Sequence, residues 1–346
     1  MVCYQKDFLT KEDIAENKRN KKMLTEAISS GRTLLFLGTG CSVRAGYPTW
    51  SALIEKLEAF AGDGFVVNKE MRNNDFLKYV DEIKEYLCVQ NKGDGLEKYH
   101  NFLSRIFNFK SEKEDYDEIH SIFIRLPFKG ILTTNYDHAI ERASQDRNKY
   151  SHTALIIEED SKMLLSDFFV SLDFPEKHEK NKQVLHLHGT FKRASKIILS
   201  QKEYLDAYGF PISADETEGD ARKRKWTLHR KIIWAILATR CVVFVGFSFN
   251  DPYFKAMLEV VARDLRMWWK SVHYAIMPVS SSTDLEEKKR YREKFGIETI
   301  FYPEDKNHVG LKNIIDEVAV ACNVRCEEEN FIDKIDKLTK QMEIEI

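Results

Sequence analysis

The stretch "TLLFLG", residues 33–38, sets apolar side chains at consecutive positions, where a strand with one face in water would alternate polar and apolar. Unbroken runs of this kind suit strands covered on both faces, the habit of central strands in parallel sheets. Similar runs recur at 129–135 ("KGILTTN"), 183–189 ("QVLHLHG"), 241–249 ("CVVFVGFSF"), 273–278 ("HYAIMP") and 296–303 ("GIETIFYP"). Between them the apolar residues fall at helical spacing, as in "TWSALIEKLEAFA" and "DPYFKAMLEVVARDLRMWW". Strand and helix in alternation predict an α/β chain built on a doubly wound parallel sheet.

The sheet runs are interrupted once at length. From Ser51 to Phe128 the sequence is charged and helical with no convincing strand, too long for a simple crossover. The expected architecture is therefore a Rossmann-like doubly wound sheet with a mostly helical insertion at about 51–128. Ser151–Lys182 and Gln201–Lys231 read as loops and helices over the other side of the site. Residues 1–32 form an N-terminal helix: Thr10 and Asp13 offer a capping box, Ile14, Met23, Leu24 and Ile28 its apolar side, and Gly31 its end. The main domain spans 33–322. The tail 323–346 places Phe331, Ile332, Ile335, Leu338 and Met342 on one stripe of an amphipathic helix, suited to packing on the parent domain or on a neighbour.

With 346 residues, 43% of them hydrophobic, the chain can bury a sizeable core, and its formal charge of −2 argues against a dedicated nucleic-acid binder. The basic run 221–231, "ARKRKWTLHRK", reads as a solvated helix face, with contact to nucleic acid or an acidic partner as the alternative. Six cysteines (3, 41, 88, 241, 322, 326) include no C-x-x-C pair, so neither a disulfide framework nor a zinc ribbon is indicated. The N-terminus lacks the apolar core of a signal peptide, and no run approaches the ~18 apolar residues of a membrane span. A reducing cytoplasm is the expected compartment.

In open α/β sheets ligands bind beyond the carboxyl ends of the strands, at the point where strand order reverses. The unusual residues fall there. Gly38, Thr39 and Gly40 follow the first strand, where backbone amides can approach a phosphate with no Cβ in the way, and Ser42 adds a hydroxyl. The third glycine is Gly46, giving G-x-G-x5-G rather than the dinucleotide fingerprint, and no G-K-[ST] closes a phosphate loop. "TTNYD" puts Thr134, Asn135 and Asp137 at the same edge, as a polar wall or, for Asp137, a helix cap. In "VLHLHG", strand alternation sends His186 and His188 to one face, and His188, beside the Gly189 turn, is placed as a general base. His186 reads as structural. Two histidines with no third ligand close by in sequence do not indicate a metal. "GFSFNDP" adds Gly246 and Ser248, with Asn250 or Asp251 capping the helix at Pro252.

Together "GTGCSVRAGYPTW", "TTNYD", "HLHG" and "GFSFNDP" resemble, in order and spacing, the sirtuin superfamily, and more closely the SIR2-like domain of bacterial antiphage defence proteins. The resemblance runs from about residue 33 to about 320. It implies NAD as substrate, with Gly38, Thr39, Gly40 and Ser42 at its pyrophosphate and ribose. It makes Asn135 the residue orienting the attacking water or the nicotinamide ribose, Asp137 a nicotinamide-side contact and His188 the general base. Gly246 and Ser248 would line the adenosine side. Tyr47, Pro48, Thr49 and Trp50 replace the sirtuin G-I-P-x-F-R segment, which adds Pro48 and Trp50, with Thr134, to the expected NAD contacts. Thr190–Arg240 contains no cysteine, so the zinc module beside the acyl-lysine channel of deacylating sirtuins is missing and no metal is expected. The implied activity is NAD+ glycohydrolysis to nicotinamide and ADP-ribose, depleting NAD in abortive antiphage defence. The alternatives are a protein deacylase or ADP-ribosyltransferase, and a non-catalytic NAD or ADP-ribose sensor. The resemblance further implies a homo-oligomer gated by assembly, with a HerA-type ring ATPase as possible partner.

Overall fold

A computed structural model describes residues 9–90, 93–108, 115–145, 151–173, 181–209, 226–265, 273–305 and 307–324. The amphipathic stripe of the tail, Cys326 and residues 221–225 of the basic run lie outside them. The first helix, α1 (Lys11–Ser29), opens with the capping box between Thr10 and Asp13 and gives way at Gly31 to β1 (Thr33–Leu37). A short turn of helix, α2 (Thr39–Val43), is followed by α3 (Trp50–Ala61), α4 (Lys69–Asn74), α5 (Phe76–Gln90), α6 (Gly95–Phe107) and α7 (Glu118–Arg125) before β2 (Gly130–Thr133). Then come α8 (Ala139–Gln145), β3 (Ser151–Ile156), α9 (Lys162–Asp173), β4 (Asn181–His186), α10 (Gln201–Tyr208) and α11 (Leu228–Thr239). The chain continues through β5 (Cys241–Val245), α12 (Pro252–Leu265), β6 (His273–Val279), α13 (Ser282–Lys289), α14 (Tyr291–Phe295), β7 (Ile297–Pro303) and α15 (Val309–Ala321).

Among the described residues, seven strands form one parallel sheet in the order β3-β4-β2-β1-β5-β6-β7. Winding proceeds from β1 toward β2 on one side and resumes from β1 toward β5 on the other, so the reversal falls between β1 and β5. The unbroken runs are explained by the two cores. Leu34 and Phe36 pack with Leu132, Leu185, Val242 and Phe244 on one face, while Leu35 and Leu37 pack with Ile131, Val184, Val243 and Val245 on the other. A third core is built by the helical section: Leu53 and Leu57 of α3, Tyr79 and Ile83 of α5, and Tyr99 and Leu103 of α6. It also takes in Tyr47, Tyr136, Phe191 and Leu199 from the segments that follow β1, β2 and β4. The helices thus sit over the carboxyl ends of the strands.

Three expectations are corrected. Ser151–Lys182 is not only loops and helices: it contains β3, an edge strand paired, among the described residues, to β4 alone, and the exposure of Thr153, beside a half-buried Ala154, breaks the apolar run that marked the others. In α1, Leu24 and Ile28 are buried but Ile14 and Met23 face solvent. The buried side of that helix is partly polar for a reason: Asn17 exchanges two hydrogen bonds with the backbone of Phe301 (2.9 and 3.0 Å), and Asn20 Nδ2 donates to Thr299 O (3.0 Å). These amides satisfy the open edge of β7, which would otherwise present unpaired backbone groups. Within the described part of the basic run, Arg230 is buried with its guanidinium over the Trp226 ring at 4.3 Å, so that position is not a solvated charge.

Candidate functional site

At the sheet reversal the loop after β1 lies directly on the loop after β5. Gly38 N–H donates to Val245 O and Gly40 N–H to Gly246 O, both at 2.9 Å. A Cβ on Gly38 would stand 2.4 Å from Gly246 O and 2.5 Å from Phe247 Cα. Gly246 has φ +64°, and a Cβ there would meet Cys41 N at 2.7 Å. The missing side chains are therefore consumed by packing one loop on the other, and the Gly40 amide is already occupied. Phe247 and Phe249 anchor the second loop among Phe36, Phe244 and Phe254, with Phe249 held in a left-handed backbone (φ +57°).

Asn135 bridges this pair of loops to β2. Its Nδ2 donates to Gly38 O (3.0 Å) and to Ser42 Oγ (2.8 Å), and its own N–H donates to Thr133 Oγ1 (2.9 Å). Because a backbone carbonyl only accepts, the bond to Gly38 O fixes which end of the amide is nitrogen. The other end, Oδ1, is buried with no hydrogen-bond partner among the described residues. A buried acceptor left unpaired costs about 1–3 kcal/mol. Asp137 caps α8 by accepting from Ala139 N–H (3.0 Å), and burial raises its pKa against the opposing pull of the Ser42 and Ala139 hydrogen bonds.

These side chains border two small cavities. The outer, about 20 Å³, is walled by Thr39, Ser42, Asn135 and Asp137 on the polar side and by Tyr47, Pro48, Trp50, Leu53, Phe107 and Tyr136 on the apolar side. The inner, about 10 Å³, is bordered by Ser42, Thr133, Asn135, Asp137, His120, Glu141 and His186. Volumes of this size hold a water, not a dinucleotide, so the walls must part for a larger ligand.

The two histidines do not share a face. β4 ends at His186, whose Nε2 meets Glu141 Oε1 at 2.8 Å and whose Nδ1 meets Asn135 O at 3.0 Å. Burial opposes the charged ring, but the Glu141 carboxylate holds the His186 pKa above its usual value. Past Leu187 the chain swings toward the opposite core. His188 is fully buried against α10 and α11: Tyr208 Oη lies 3.0 Å from Nε2, Tyr204 Oη 3.3 Å from Nδ1, and the His229 ring stacks at 6.2 Å. Asp251 Oδ2 accepts from Tyr204 Oη (3.0 Å) and stands 3.7 Å from His188 Nε2. Burial pushes the His188 pKa well below the ordinary value and that of Asp251 up to about 6. His188 is thus neutral, as a proton acceptor must be, and sheathed by two tyrosines.

Of the residues expected from sequence, the structure brings Thr39, Ser42, Pro48, Trp50, Asn135 and Asp137 to one cavity. Gly38, Gly40 and Gly246 form the loop contact beside it. Thr134 is half-buried and borders neither cavity; its neighbour Thr133 does. Ser248 is exposed, its Oγ 3.4 Å from Asn250 N–H. Arg44 turns away to Asp117 and to the carbonyls of Asn307 and His308. The capping residue before α12 is Asp251, which accepts from Tyr253 and Phe254 N–H at 2.9 Å. Sequence reasoning missed Tyr136, although it belongs to the quoted "TTNYD", and Glu141, four residues past that stretch; it missed His120, Tyr204 and Tyr208 because they reach the site from distant helices. Sequence neighbours offered His186 no third metal-type ligand, but the fold brings His138 and Glu141, some 45 residues earlier in the chain, to it.

Fold and site together define an α/β protein with a polar cleft at the reversal of a doubly wound parallel sheet. Residues 129–300 match the family described as the SIR2-like domain. The chain carries a SIR2-like domain. It is 27% identical over 290 residues to NAD(+) hydrolase ThsA of Bacillus cereus (strain MSX-D12), covering 79% of this chain and 50% of that protein. It is 24% identical over 262 residues to NAD(+) hydrolase ThsA of Enterococcus faecium, covering 74% of this chain and 45% of the relative. Defense-associated sirtuin 2 of Bacillus subtilis is 23% identical over 246 residues, 70% of this chain and 20% of that protein. The chain therefore spans about half the length, or less, of these curated relatives.

Proposed function

We propose that this chain is an NAD+ glycohydrolase that releases nicotinamide and ADP-ribose and serves antiphage defence by depleting NAD. The observation that carries the reading is the buried, unpartnered Oδ1 of Asn135 at the sheet reversal. It is supported by relatives whose names include NAD(+) hydrolase.

The chemistry needs few groups. Nicotinamide leaves as a neutral base, so no acid must protonate it. What remains is to stabilise a cationic ribose, to place a water and to accept its proton. Asn135 Oδ1 can accept from a ribose hydroxyl or from the water, and Asp137, on the same wall, supplies negative potential to the developing cation. His188 takes the proton once α10 draws Tyr204 and Tyr208 aside. NAD entry requires the Tyr47–Trp50 wall to part as well, and we extend the proposal to gating by assembly, with further copies of this chain or a HerA-type ring ATPase, in the cytoplasm.

The test is nicotinamide release from NAD by the purified chain, alone and with candidate partners, beside Asn135→Ala and His188→Ala. The expected loss for His188→Ala is about 10²- to 10⁴-fold. Release that neither substitution lowers overturns the reading; NAD binding without release under any condition favours a sensor, and release only with an acyl-lysine peptide a deacylase.

A further inference from the structure

We propose that His138, Glu141 and His186 form a binding site for one divalent transition-metal ion of the Zn²⁺ type, clamping the β2–α8 turn to the end of β4. The three residues are buried, and each offers a ligand atom within 4.8 Å of the other two. His138 immediately precedes α8 and Glu141 stands in the first turn of that helix, three residues on, while His186 comes in from the end of β4. No reading of the NAD site is needed for this placement.

Four independent features point to a ligand there. His138 is 5% exposed and its Nε2 has no hydrogen-bond partner among the described residues, an orphan that a metal would satisfy. The His138 ring lies 5.3 Å from the His186 ring and 4.8 Å from that of Phe191, so it is held against the cluster. The Nδ1 of His186 is paired with Asn135 O, which leaves Nε2 as the ligating atom; a backbone carbonyl on the second ring nitrogen is the usual support of a metal-bound histidine. The inner cavity, about 10 Å³, abuts Glu141 and His186, with room for a water as fourth ligand.

The donor set selects the ion. Two imidazoles and one carboxylate suit zinc and its neighbours, whereas calcium and magnesium prefer all-oxygen shells. Metal–ligand bonds of about 2.0–2.2 Å put tetrahedral neighbours roughly 3.3 Å apart. The His186–Glu141 contact at 2.8 Å must therefore widen slightly, and His138 must close in. On binding, the proton shared by His186 Nε2 and Glu141 Oε1 leaves to solvent; two nitrogen lone pairs and one carboxylate oxygen then donate to the ion. Because His186 also holds Asn135 O, the metal would stiffen the turn that carries Asn135.

The experiment uses the full chain, stripped with chelator and titrated with Co²⁺, whose visible absorption reports four-coordinate N/O ligation, then with Zn²⁺. One equivalent of Co²⁺ should colour the protein, Zn²⁺ should bleach it, and Zn²⁺ should raise the melting temperature. His138→Phe, which keeps the ring packing, and Glu141→Gln, which keeps a hydrogen bond to His186, should each weaken binding by at least roughly 100-fold. Both are checked for native near-UV circular dichroism, with His138→Gln as the alternative should the first misfold. Absence of the band, or a band unaltered in folded variants, overturns the proposal.

Discussion

Replacing Gly38 by alanine isolates the loop contact at the sheet reversal. Its backbone (φ −105°, ψ 177°) is open to any residue, so the substitution carries no torsional penalty. The added methyl must instead find room where Gly246 O, Phe247 Cα and Gly246 C lie at 2.4, 2.5 and 2.7 Å. Relief requires the loops to part by about 1 Å, since carbon contacts settle near 3.5–4.0 Å. Overpacking of this kind costs about 1–3 kcal/mol. Parting the loops also stretches the Gly40–Gly246 hydrogen bond, worth about 1 kcal/mol. A total near 3 kcal/mol follows. Gly46 is the control: φ is +92° but nothing lies within 4 Å of its would-be Cβ, so alanine there costs only the left-handed backbone, about 1–2 kcal/mol. Gly246→Ala combines both penalties and should be the most damaging of the three. Urea unfolding with unchanged m-value reads the differences. If Gly38→Ala proves no more destabilising than Gly46→Ala, the glycines are not there for loop packing, and the phosphate-cradle reading returns.

Asn17→Ala should destabilise by about 1–2 kcal/mol by releasing the Phe301 backbone pair, with faster amide hydrogen exchange at Phe301 and little change on the opposite edge. For Asp251, burial lifts the folded pKa to about 6, well above its unfolded value, despite hydrogen bonds from Phe254, Tyr204 and Tyr253 that oppose the rise. The folded state therefore binds the proton more tightly, and the contribution to stability falls as pH rises from about 4 to about 6 and is level above. Asp251→Asn keeps an oxygen for the α12 cap, so it should stabilise by about 1–2 kcal/mol at pH 7.5 and lose that gain at pH 4.5; equal effects at both pH values would refute the assignment.

What the sequence disclosed follows from how local each signal is. The central strands were legible because burial on both faces leaves consecutive apolar residues, as in Leu34–Leu37, and the cap at Thr10 because its partner is three residues away. β3 was hidden because Thr153 is exposed and Ala154 only half-buried, whereas β7, the other edge strand, is buried from Ile297 to Tyr302 and stayed legible. The cluster of Ser42, Asn135 and Asp137 was legible, since all three sit on turns directly after strands. The separation of His186 from His188 was not, because strand alternation applies only while the strand lasts, and Gly189 (φ +81°) follows the point where it ends. Tyr204 and Tyr208 bear on His188 through α10, a contact that no spacing announces.

The loop contact also joins the two groups assigned to the reaction. Asn135 is fixed to Gly38 O, on the loop after β1, while Asp251, on the loop after β5, holds Tyr204 beside His188. Gly38 against Gly246 is where those loops meet, so a methyl there displaces the amide and the histidine relative to each other. A misplacement of about 1 Å can cost on the order of 10²-fold in rate. Gly38→Ala should therefore depress nicotinamide release by about that factor at temperatures where the variant is still folded, whereas Gly46→Ala should leave release near that of the parent. Comparable losses in both would place the effect in the mobility of the loop after β1 as a whole, and the idea that the glycine contact sets the spacing of Asn135 and His188 would fail.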